Sequence, residues 1–222
     1  MNTISKLHRS SWILLILILG VQHMLGCKAS NATKGAAIGA GSGAVIGGII
    51  GRQSDNTAAG AIIGAGVGGV AGAIIGERMD KQAEELRNDL KGASVERVGE
   101  GIKITFDSGL MFDFDSYLLT PGTQENLTSL SKTLNKYSDT EILIEGHTDK
   151  TGPEDYNISL SKNRAEAVAD YLNMQKVKTS RITTQGYGEE QSISDNDAEN
   201  RRVEVAIYAN KKMKRAAEKG RL

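Results

Sequence analysis

Asp149 and Arg164 are the side chains in this sequence best placed to do chemistry. The apolar run Ile142-Leu143-Ile144 has the length and β-branched content of a buried strand, and it runs out into Gly146-His147-Thr148-Asp149. Thr151-Gly152-Pro153 supplies a turn. A helix is expected next, because apolar residues recur at Leu160, Val168, Tyr171 and Leu172. Arg164 falls four residues after Leu160 and four before Val168, so it belongs to the apolar stripe of that helix. A guanidinium there needs an acidic partner or an anionic ligand, since an unpaired buried charge is costly. Two arrangements satisfy it. Asp149 and Arg164 pair with each other and lock strand to helix, or they grip a zwitterion between them. In the second case the carboxylate takes an ammonium group and the guanidinium fork takes a carboxylate.

Other chemistries find little to work with. His147 is the single histidine after residue 95, so a metal site or a histidine-based triad is not expected and the residue reads as structural. No Ser–His–Asp set, cysteine nucleophile or phosphate loop is evident. An acid pair built from Asp113 and Asp149 has nothing else to support it. The reading is binding without turnover, with no catalytic residue, no metal and no cofactor.

Ile142–Val168 resembles the peptidoglycan-binding signature of the OmpA C-terminal-like family. The strand, then G-H-T-D-x-T-G, then Asn157, Leu160-Ser161 and Arg164 carry the likeness. It extends upstream to Phe112-Asp113, and downstream to Gln185-Gly186-Tyr187-Gly188-Glu189 and Asn200-Arg201-Arg202-Val203, covering about residues 95–209. The resemblance implies that Asp149 and Arg164 clamp the free amino-acid end of diaminopimelate in a wall stem peptide. It also implies that Thr148, Asn157, Asp113 and Arg201 line the same pocket.

The elements needed to position these residues follow from periodicity. Ile102–Phe106 alternates as a strand, and Leu110–Phe114 reads as a second strand piece. Thr120-Pro121 is an N-cap and first helical residue, ahead of a stripe at Leu127, Leu130, Leu134 and Tyr137. Strand 141–145, helix 157–173 and strand 182–185 follow. Residues 195–200 read as a short helical turn. Val203, Val205 and Ile207 then alternate with Glu204, Ala206 and Tyr208, as in a last strand with one solvated face. The order βαβαββ defines an α/β two-layer sandwich.

The chain has 222 residues and a formal net charge of zero, which argues against a nucleic-acid partner. Residues 95–210 nevertheless carry 20 acidic and 12 basic side chains, while residues 211–222 carry six basic and one acidic. That tail reads as a solvated, frayed end, or as a contact for phosphates of lipid headgroups or wall polymers.

Upstream, residues 1–26 read as an export signal: Lys6 and Arg9 precede the apolar run Trp12–Leu19. Met24-Leu25-Gly26-Cys27 resembles a lipobox, which implies acylation of Cys27 and, with Lys28 following, an outer-membrane lipoprotein facing the periplasm. Residues 27–34 form a short linker. Two glycine arrays occupy 35–76, with Gly35, Gly39, Gly43, Gly47 and Gly51 repeated 25 residues on as Gly60, Gly64, Gly68, Gly72 and Gly76. Spacing of four puts every glycine on one helix face, so two helices can approach closely. A glycine-zipper hairpin is expected, Lys34–Arg52 against Ala58–Glu77, either embedded in the membrane or self-associating. Residues 77–92 read as a connecting helix and spacer. The wall-binding domain then spans 93–210, with the basic tail at 211–222. The leading expectation is a tether between outer membrane and peptidoglycan. The alternative makes the glycine hairpin the active part, as an oligomeric pore, with the domain as its anchor.

Overall fold

Alternating β-branched strands assemble into one five-stranded sheet in the computed structural model, which describes residues 57–222. The export signal, Cys27 and the first glycine array lie outside the described residues. The elements are α1 (Thr57–Ala65), α2 (Gly69–Asp89), β1 (Ala93–Val98), β2 (Gly101–Asp107), α3 (Ser108–Met111), α4 (Pro121–Lys136), β3 (Thr140–Gly146), α5 (Glu154–Met174), β4 (Ile182–Gly186), α6 (Asp197–Asn200), β5 (Arg202–Ala209) and α7 (Lys211–Glu218). The strands lie in the order β1-β2-β5-β3-β4. Only β3 and β4 are parallel, and α5 makes the crossover between them.

The main core lies on one sheet face. Ile142 and Ile144 of β3 and Val203, Val205 and Ile207 of β5 pack there against α2, α4 and α5. Thr120 caps α4 by accepting from the Thr123 amide, with Pro121 in the first turn, as its sequence predicts. Burying these side chains contributes roughly 25 cal/mol for each Å² of apolar surface removed from water.

Several expectations need correction. The second glycine arm is not one helix over 58–77. It breaks at Gly66–Gly68 into α1 and α2, because Gly68 and Gly69 take positive φ of 72° and 60°. The Glu100 carboxylate, from the turn between β1 and β2, accepts the Val67 and Gly68 amides at 2.8 and 2.6 Å and holds the break. No helix among the described residues is long and apolar enough to cross a membrane. Instead α1 lies on the second sheet face, where Ala58, Ala61, Ile62 and Ala65 pack on Ala206 and Tyr208. For that reason β5 has no solvated face and is buried along its whole length. The sandwich thus has helices on both sides of its sheet.

Residues 77–92 are not a spacer, since Met79, Ala83 and Leu86 of α2 are fully buried in the core. Leu110–Phe114 is not a strand. Asp107 caps the short α3 there, leaving a single bridge between Phe112 and Leu119. The edge strand β1 was not anticipated. The tail is not frayed as far as Glu218: Asn210 caps α7, and Met213 and Ala217 are buried in the main core. Met213→Ala is therefore expected to cost about 2–5 kcal/mol in urea unfolding, where a frayed tail would show no change.

Candidate ligand-binding site

Two glycines set the distance between β3 and α5. A Cβ added at Gly146 would overlap the Ser161 carbonyl, and one added at Gly186 would overlap the backbone of Lys162. The helix therefore rests on the strand ends at backbone contact, within a turn of Arg164. Beyond Gly146 the chain continues past the strand. The His147 amide donates to the Arg202 carbonyl and the Thr148 amide to the Gly188 carbonyl, both at 2.9 Å. That places Thr148 and Asp149 beside the first turns of α5.

All six residues singled out from the sequence line one open cavity of about 570 Å³: Asp113, Thr148, Asp149, Asn157, Arg164 and Arg201. Asp149 and Arg164 do not pair with each other. Asp149 Oδ2 binds Arg201 Nη1 at 2.6 Å, and its Oδ1 accepts the Thr151 amide at 2.9 Å. Burial raises the Asp149 pKa, but the Arg201 guanidinium and the Thr151 amide and hydroxyl outweigh it, holding the group below its ordinary 3.8. A depressed carboxylate pKa makes its contribution present above the unfolded value and lost as pH falls through the folded one.

Arg164 is buried, yet it is anchored by one hydrogen bond only, from Nε to the Ser116 carbonyl at 2.9 Å. Its guanidinium lies over the Phe112 ring, 5.1 Å from the centroid. Neither of its outer nitrogens has a hydrogen-bond partner among the described residues. Thr148 Oγ1 is buried without a partner. Asn157 Nδ2 donates to the Asp149 carbonyl at 3.3 Å and to Glu189 Oε2 at 2.7 Å. Asp113 has no side-chain partner among the described residues and stays open to the cavity.

Sequence reasoning missed Asp115 and Tyr156, which also line the cavity and hydrogen-bond to each other. A signal was present, since Asp115 is two residues past Asp113 and shares its strandless loop. The walls thus hold three carboxylates, Asp113, Asp115 and Asp149, against two guanidiniums, Arg164 and Arg201. Near balance of opposite charges, with an unpaired fork on one side, suits a ligand that carries both an ammonium and a carboxylate.

This fold and site define an α/β domain with an open, charged pocket where β3 gives way to α5. Residues 111–206 match the OmpA family, and residues 7–80 match the YMGG-like Gly-zipper family. The chain is 38% identical over 133 residues to the probable lipoprotein YiaD of Escherichia coli strain K12, covering 57% of this chain and 61% of the relative. It is 33% identical over 108 residues to the peptidoglycan-associated lipoprotein of Brucella melitensis biotype 1, covering 49% of this chain and 64% of the relative. It therefore spans somewhat under two thirds of the length of these relatives. Among solved structures, the cell wall anchor of the T6SS from Pseudomonas aeruginosa superposes with a TM-score of 0.52 at 25% identity, covering 60% of this chain and 98% of that one.

Proposed function

We propose that this chain is a lipoprotein of the outer membrane that binds peptidoglycan without cleaving it and tethers the membrane to the wall. One observation carries the reading: the unpaired Arg164 fork opens into the same cavity as Asp113 and Asp149. Arg164 takes the ligand carboxylate bidentately. The remaining lone pairs of Asp149 and the open carboxylate of Asp113 take the ammonium, and Thr148 and Asn157 add neutral hydrogen bonds. Diaminopimelate in a stem peptide offers both charged groups on one carbon. The names of the relatives, a peptidoglycan-associated lipoprotein and a probable lipoprotein, support the assignment.

Acylated Cys27 is the lipid anchor in this proposal, and the domain faces the periplasm. Self-association is assigned to the upstream glycine array, residues 35–51. The other reading, a pore built from both arrays, is less well supported, because α1 commits part of the second array to the sheet.

Co-sedimentation of the full chain with purified peptidoglycan tests the proposal. Wild type is expected in the pellet, and millimolar free diaminopimelate is expected to release it, whereas an equal concentration of alanine is not. Retention that free diaminopimelate leaves untouched would remove this pocket as the wall site.

A further inference from the structure

Three side chains able to hold a metal meet beneath α1, away from the ligand pocket. Strand geometry puts them there. Glu145 and His147 are two residues apart along one extended stretch and so point to the same face. Glu204 of β5 is the register partner of Glu145. One ligating atom from each lies within 4.8 Å of the others. Exposure is 0% for Glu145 and 1% for both His147 and Glu204. Among the described residues, both His147 ring nitrogens and both Glu145 oxygens lack a hydrogen-bond partner. The Tyr187 hydroxyl and the Ala58 amide lie near Glu145 and favour its charged form. Buried polar atoms are paired in the great majority of cases, so four orphans at one spot require a missing partner.

We propose that Glu145, His147 and Glu204 bind a divalent transition-metal cation of the zinc class, held between the sheet and α1. The donor set fits: imidazole and carboxylate ligands suit zinc and its neighbours rather than magnesium or calcium alone. At bond lengths of about 2.0–2.2 Å the ligand atoms of a tetrahedral zinc stand about 3.3–3.6 Å apart, so side-chain rotations must draw these three together to close the shell. The neutral imidazole is the form a ligand must take.

Charge gives a second reason. Arg202 is bound to Glu204 Oε1 at 2.7 Å and to the Gln191 carbonyl at 3.1 Å, so its charge is shared between Glu204 and the nearby Glu145. Lys103 is paired elsewhere, with Glu96 at 3.6 Å. Two carboxylates and one guanidinium leave one buried negative charge, covered by an alanine-rich helix. A proton is the competing way to neutralise it, since burial, then Glu204, push the Glu145 carboxyl up to about 8. The site stands independently of the wall-binding reading.

The test uses the detergent-solubilised full chain, stripped with a chelator and dialysed against zinc chloride, with cobalt chloride as a spectroscopic probe. One ion per chain is expected, with the visible absorption bands of a low-coordinate cobalt site. Glu145→Gln and His147→Phe are each expected to weaken uptake by more than the roughly 10–100-fold that loss of even an outer ligand partner costs. Glu145→Gln removes the charge while keeping the shape, His147→Phe removes both ring nitrogens, and circular dichroism checks that each variant folds. No uptake, or uptake equal in the variants and wild type, overturns the proposal.

Discussion

Arg164→Ala is expected to weaken capture of a diaminopimelate-terminated stem peptide by about 10- to 150-fold, the equivalent of about 1.5–3 kcal/mol for one lost charge-assisted contact. The size follows from how the side chain is held. Among the described residues its only hydrogen bond is to the Ser116 carbonyl, and the Phe112 ring supports its face. The guanidinium is therefore pre-positioned, and little ordering is needed when a carboxylate arrives. Arg164→Lys separates charge from shape. It keeps the positive charge but loses the planar fork, so an intermediate loss is expected. Calorimetry with the soluble peptide measures both. Equal affinity in wild type and Arg164→Ala would mean that the carboxylate is held elsewhere.

Gly146→Ala is expected to be the most damaging single methyl in the domain, lowering stability by about 1–3 kcal/mol or more as overpacking does. The added carbon would overlap the Ser161 carbonyl, a backbone atom in mid-helix with no rotamer to yield. Relief requires α5 to lift from β3, which moves Arg164 away from Asp149. Wall binding should thus fall even in conditions where the variant remains folded. Gly122→Ala in α4 is the control, because nothing lies within 4 Å of its added carbon. It should be neutral or slightly stabilising, since alanine is the better helix former. Urea unfolding with sedimentation on the same samples distinguishes lost stability from lost geometry.

The pocket was legible in the sequence because its members announce themselves locally. Asp149 ends an apolar strand, and Arg164 interrupts an apolar helical stripe, so each is conspicuous within a few residues of its own position. What sequence could not show was the pairing of Asp149 with Arg201, 52 residues away. Nothing near Arg201 says which carboxylate it will meet. The α1 helix was misread for a different reason. Alanine and glycine at helical spacing suit a zipper and a cover for a sheet equally well, and only the tertiary fold chooses. Once α1 covers β5, the alternation of Val203, Val205 and Ile207 with Glu204 and Tyr208 no longer marks a wet face. Buried Glu145 and Glu204 are the cost of that choice, and periodicity alone predicts them on the surface.

The seating of α1 also decides how the domain meets mechanical load. A pull from the upstream chain enters at Thr57 and reaches α1 before any strand. Its grip on the sheet is made mostly of alanine, whereas the strands behind it are bonded edge to edge. Under tension α1 should peel first, and residues 57–68 would extend to about 40 Å in all at roughly 3.3–3.6 Å per residue. The strand ladder that carries the pocket would then part only after that cover has been spent.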